Sequence, residues 1–226
     1  MPGGSHAAST PLSTQPGAVR GAGDRRPFVV VHNGAVDDSE FWAIVEETRA
    51  GLGDDRDDGE AVAEALAERL ATGPADLIMR FGRRMDRLDV ALYRWDIWAA
   101  AHLIGGGHCS DDSFMDFRAG VIALGREWYE RVLVSPDALA DHPVVRRAAA
   151  EEDDEVLLAE PMLYVASEAM EQLTGDEDAY DDLLDEDGDE PEQDLSGDPA
   201  GEDFDFEDDA EMRRRLPRLA ALYRPE

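Results

Sequence analysis

The chain of 226 residues carries 21 basic side chains, every one an arginine, against 53 acidic ones, a formal net charge of −32. That excess argues against a general nucleic-acid or anionic-membrane binder, which needs cations to neutralise phosphate, and it favours a basic protein partner. The absence of lysine excludes Schiff-base chemistry, a lysine general base and a P-loop, and the single cysteine, Cys109, permits neither an internal disulfide nor a cysteine zinc site.

Residues 1–27 offer Gly, Pro, Ser and Thr without periodic apolar positions, which reads as a disordered leader. The leader lacks the apolar core of a signal peptide and no run reaches membrane-spanning length, so a soluble, cytoplasmic protein is expected. Phe28 to Val31, closed by Asn33-Gly34, has the composition of a short strand. Asp37 and Glu40 have capping-box spacing before Phe41, Ile44 and Val45, which predicts a first helix ending at Gly51 or Gly53. After the acidic turn Asp54 to Gly59, a second helix carries the stripe Ala61, Ala65, Leu66 and Leu70. Gly73-Pro74 ends it and starts the next, with Pro74 as its first residue.

From Asp76 the apolar positions Ile78, Phe81, Met85, Leu88, Leu92, Trp95, Ala99 and His102 recur every three or four residues. This predicts one long buried helix, or two that share a face. Arg80, Arg83, Arg84 and Arg87 put a positive strip on its first half. Gly105 to Gly107 must break the pattern, and Ser110, Asp111 or Asp112 then caps a helix with the stripe Phe114, Phe117, Val121, Leu124, Trp128 and Val132. Gly125 within that stripe suggests the close approach of another helix. Ser135-Pro136 closes it, Asp137 to Leu139 make one short turn, and Glu155 to Leu173 form a last core helix in which Pro161 is a kink or a second start.

From Asp176 to Asp209 every charged side chain is acidic, so self-repulsion should keep the stretch extended. The sign reverses at Arg213 to Arg215, and Leu216, Leu219, Leu222 and Tyr223 follow. The expected architecture is therefore all-α, a single helical domain of five or six helices. It comprises a disordered leader (1–27), the helical domain (28–175), an acidic low-complexity linker (176–210) and a C-terminal segment (211–226) that packs back on the domain. The acidic stretch has two arginine targets to fold over, Arg80 to Arg87 and Arg213 to Arg215.

Phe41-Trp42, Tyr93 to Trp98, Gly105 to Gly107, Cys109 to Phe114, Phe117-Arg118, Gly125-Arg126 and Pro136 to Ala140 together resemble an uncharacterised bacterial family, domain of unknown function 4240. The resemblance spans about Asp38 to Leu173, with an echo at Leu216 to Tyr223. His108 stands as an insertion against its glycines-then-cysteine pattern. No activity comes with it.

The stretch from Trp95 to Arg118 gathers indoles, imidazoles, the thiol and paired carboxylates. Cys109, at a helix start with His102 or His108 as base, has the makings of a nucleophile, although Asp111 and Asp112 would raise its pKa. Asp111 and Asp112 are an acid/base pair or merely helix-start residues that suit the dipole. His102, His108 and Cys109 match no zinc spacing, and neither a metal nor a cofactor is expected. Arg118 is read as an ion pair with Asp111 or as a guanidinium offered to an anionic ligand. Trp95, Trp98, Arg118 and Arg126 are the candidate ligand-binding side chains. Two functions follow: an immunity-like or regulatory, non-enzymatic module that binds a basic protein partner through an acidic surface, or a small enzyme or ligand-binding domain centred on Gly105 to Asp112 and Arg118.

Overall fold

A computed structural model describes residues 38–187 and 197–225. The leader, the expected Phe28 to Val31 strand and part of the acidic stretch lie outside the described residues. The described residues are helical apart from turns and one extended segment. The helices are α1 (Asp38–Gly51), α2 (Gly59–Ala71), α3 (Ala75–Ala91), α4 (Trp95–Ile104), α5 (Asp111–Ala123) and α6 (Arg126–Val134). They continue with α7 (Pro143–Glu151), α8 (Pro161–Thr174), α9 (Ala179–Asp187), α10 (Asp209–Arg215) and α11 (Pro217–Tyr223), and 3-10 turns cover Gly53–Asp57 and Pro136–Asp141. Among the described residues no helix is long and apolar enough to cross a membrane.

One apolar cluster joins elements from α1 to α11, with Phe41, Leu66, Phe81, Ile97, Phe117, Val165 and Leu219 all buried in it. Burying each such side chain contributes about 1.5–3 kcal/mol. Phe41 stacks on Phe81 at 4.5 Å and meets Trp42 edge-on at 5.1 Å, which ties α1 to α3. Helices α2 and α8 approach closely because small residues line their contact: a Cβ on Gly59 would stand 2.5 Å from that of Ala159, and Ala63, Ala67 and Ala169 are fully buried.

The described helices outnumber the expected five or six partly because two continuous stripes are each broken, and partly because α7, α9, α10 and α11 add to them. The first breaks at Leu92 to Arg94, where Arg94 adopts an extended conformation. Ala200 donates its N–H to Tyr93 O at 2.9 Å and accepts from Trp95 N–H at 3.0 Å, so an extended segment from the acidic stretch supplies the partners that the broken helix lacks. The second stripe breaks at Gly125, whose φ of 88° no β-carbon-bearing residue adopts readily. The approach expected at that glycine is made by the Glu46 and Arg49 side chains of α1. Pro74 proves to be an N-cap rather than a first helical residue, Pro161 opens α8, and α7, opened by Pro143, has no counterpart in the sequence reading.

The acidic stretch is more structured than its charge suggests. Helix α9 lies within it, and its Tyr180 packs against the core at Gly82 of α3. Phe204 and Phe206 also rest on the core. Glu202 pairs with Arg215 at 2.9 Å, so this segment meets the C-terminal arginine target, while Tyr180 of α9 lies on α3 beside the other. In α3, Arg80 pairs with Asp76 and Arg84 with Asp38. The C-terminal helix is held by Asp137, whose carboxylate accepts the N–H groups of Arg218 and Leu219 at 3.0 and 2.9 Å. These are donors that a helix start otherwise leaves unpaired.

Candidate functional site

The glycine loop ends α4 and starts α5. Gly106 and Gly107 have φ of 67° and 90°, which lets Gly107 N–H donate back to His102 O at 2.8 Å. Of the three possible caps, Ser110 is the one used, its hydroxyl accepting Ser113 N–H at 3.1 Å. Asp111 and Asp112 are exposed in the first turn of α5. Trp98 holds the loop through its Nε1–H to Cys109 O at 3.2 Å and stacks on Phe114 at 4.7 Å, with Trp95 stacked on it in turn at 5.7 Å.

A cavity of about 250 Å³ opens beside this loop. Ala101, Ile104, Phe117, Val156 and Leu158 form its apolar walls, and His108, Cys109, Ser113, Asp154 and Glu155 its polar ones. Burial pushes the Cys109 thiol up to about 11, and Asp111 and Asp116 push the same way. At neutral pH that is a protonated thiol and a poor nucleophile.

The candidate residues do not converge there. Arg118 is 1 % exposed and pairs with Asp89 at 3.0 Å, so the expected Asp111–Arg118 pair does not form. Its guanidinium lies 5.1 Å from the ring centroids of both Tyr93 and Phe114 and is walled off from the loop. Burial pushes Asp89 up to about 6, opposed by Arg118 and reinforced by Asp86. His102 is buried beneath the extended segment, its Nε2 3.5 Å from Glu207 and its ring 5.5 Å from Phe206. Burial lowers its pKa, with Glu207 opposing.

Arg126 belongs elsewhere, to a larger cavity of about 710 Å³ among α1, the Gly53–Asp57 turn, α6 and the start of α7. There Glu46 accepts Arg126 N–H at 2.8 Å, and Arg49 binds Glu46 at 3.2 Å, Asp57 at 2.7 Å and Arg56 O at 3.1 Å. Arg126 pairs with Glu130 and Arg131 with Glu127. His142 meets Trp128 edge-on at 4.5 Å. It caps α7 by accepting Val144 N–H at its Nδ1, and burial pushes its pKa down to about 4.

A family model described as "Protein of unknown function (DUF4240)" matches residues 36–172. The chain belongs to this family. The match takes in both cavities and ends within α8, leaving α9 to α11 outside it. No curated protein and no solved structure matches the chain. Within the matched region the resemblance residues acquire physical roles: Gly125 admits Glu46 and Arg49, and Asp137 caps a helix from beyond the family boundary.

Asp154, Glu155, Val156 and Leu158 were not singled out from the sequence. Glu155, Val156 and Leu158 fall within the core helix expected from Glu155, whereas they belong to the turn that precedes α8, and Asp154 carries no signal of its own. Asp89 stands in sequence among the arginines of α3, where local pairing is expected, but its partner Arg118 comes from α5, and the packing of His142 on Trp128 likewise depends on another element.

Proposed function

We propose that this member of the family is a non-enzymatic, immunity-like or regulatory module that binds a basic protein partner through its acidic surface, with a cytoplasmic location as part of the same reading. The observation that carries it is where the arginines go. Arg49, Arg69, Arg84, Arg118, Arg215 and Arg218, among others, pair with acids of the same chain. Their charge is thereby neutralised at short range, and the large excess of carboxylate faces outward. The scatter of Cys109, His102, Arg118 and Arg126 over separate environments also supports binding over catalysis.

The test is titration of the full chain with a synthetic lysine- and arginine-rich peptide by calorimetry. Binding is expected in about 50 mM salt and should fall steeply by about 500 mM, as the screening length contracts to a few ångström. No binding at low salt, or an affinity indifferent to salt, overturns the proposal.

A second reading, a ligand-binding domain at the glycine loop, is favoured by the cavity beside Gly105, His108 and Cys109. Its enzymatic form is disfavoured by the raised thiol pKa.

A further inference from the structure

The geometry points to the glycine-loop cavity as an anchor for one lysine or arginine side chain of a basic protein segment, its charged head met by Asp154 and Glu155. This rests on the basic-partner reading and adds where the partner docks.

Size comes first. At about 250 Å³ the cavity falls below the roughly 300–1,000 Å³ of sites that enclose whole small molecules, and it suits a single long side chain. Its lining is divided in the same way as such a side chain. Ala101, Ile104, Phe117 and Val156 offer an apolar bed for a methylene stem, while Asp154 and Glu155 stand ready for the charged head.

The charge there is unmet. No ion pair engages Asp154 or Glu155 among the described residues, whereas acids such as Glu46, Asp57 and Asp89 hold arginines. On α5 next to the cavity, Asp116 has its pKa raised by burial and then by the nearby Glu160 and Asp112. No ion pair among the described residues engages Asp112, Asp116 or Glu160 either, so a cation arriving beside Asp116 relieves its repulsion with Asp112 and Glu160.

The wall carrying these acids is rigid. Leu157 has a φ of 67°, a conformation that persists only where its surroundings impose it. Its carbonyl oxygen occupies the place a Cβ on Gly120 would take, 1.9 Å away, and Ala159 N–H donates to Asp116 O at 3.1 Å. The turn is thus clamped onto α5, and it leaves Leu158 39 % exposed at the cavity. An exposed leucine within an acidic rim fits a partner that brings both stem and charge.

The experiment compares three variants of the full chain for binding a fluorescent lysine- and arginine-rich peptide at fixed salt, with folding checked by circular dichroism. Asp154→Asn/Glu155→Gln removes the proposed head-group partners. Ser113→Phe fills the cavity without changing charge. Glu64→Gln/Glu68→Gln removes equal charge from the exposed side of α2. The first two should each weaken binding by about tenfold and the third by no more than about twofold. Equal weakening by both charge-removing variants overturns the anchor while leaving the basic-partner reading intact. Weakening by Ser113→Phe alone means that the cavity takes an apolar side chain, which also overturns it. No binding by the unaltered protein removes the basic-partner reading and the anchor with it.

Discussion

The cavity at the start of α6 is almost three times the volume of the one at the glycine loop, yet it makes the weaker candidate for a binding site. Its charges already answer one another: Arg49 joins Glu46 and Asp57, Glu46 also accepts the backbone N–H of Arg126, and the Arg126 guanidinium pairs with Glu130. The smaller cavity has acids without cations and a wall held in a left-handed turn. Size measures how imperfectly helices fill space, whereas unmet charge beside a preorganised wall measures what the chain leaves for a partner.

Three predictions sharpen this contrast, and the largest concerns Arg118, the residue that sequence places near the loop and the structure places in the core. Arg118→Met should lower stability by about 3–5 kcal/mol, because it strands the buried Asp89 carboxylate. Adding Asp89→Leu should restore most of the loss. Urea unfolding measures both, and a loss below about 1 kcal/mol would return Arg118 to the list of surface-acting residues.

Next is Gly125→Ala in the larger cavity. The new Cβ would stand 2.3 Å from Glu46 Oε1 and 2.4 Å from Arg49 Nη1, at a φ of 88°. Backbone strain and a displaced network together should cost about 2–4 kcal/mol. A melting temperature unchanged from the parent would mean that the network is not structural, and the contrast between the cavities would collapse.

The smallest effect is a pH dependence from His142 in the same cavity. Burial favours its neutral form and holds its pKa at about 4, against 6.5 for the unperturbed group. The unfolded chain therefore binds the proton more readily. Stability present above about pH 6.5 is lost as pH falls toward 4, by about 3 kcal/mol at most. His142→Asn keeps an acceptor for Val144 N–H and should flatten that part of the profile of thermal unfolding against pH. An unchanged slope would assign the acid sensitivity to other groups.

Stripes at helical spacing were legible because burial on one side of a helix repeats every three to four residues, which is why α1, α2 and the faces of α3 to α6 appear in the sequence at nearly their true places. The breaks were less legible. Leu88, Leu92 and Trp95 keep perfect period across the end of α3, and only the strand-like pairing of Ala200 shows why the backbone opens there. At Gly125 the glycine itself was the signal, and what approaches it was not. Helix α9 was hidden by acidic charge, since the packing of Tyr180 on Gly82 is a contact between elements nearly a hundred residues apart. The candidate site was half visible: the loop, its cap and Cys109 were found, while the opposite wall at Asp154 to Leu158 was not.

By itself the sequence determined the helical class, the glycine break, the outward acidic charge and the exclusion of lysine chemistry, because these follow from composition and from periodicity along one element. Tertiary structure alone decided that Arg118 answers Asp89 rather than Asp111, that Arg126 and the glycine loop belong to different cavities, and that Asp154 and Glu155 face Cys109. Each of those depends on which distant residues meet when the helices pack. A charged side chain commits to the partner that packing brings within bonding distance, and local spacing holds no record of that distance.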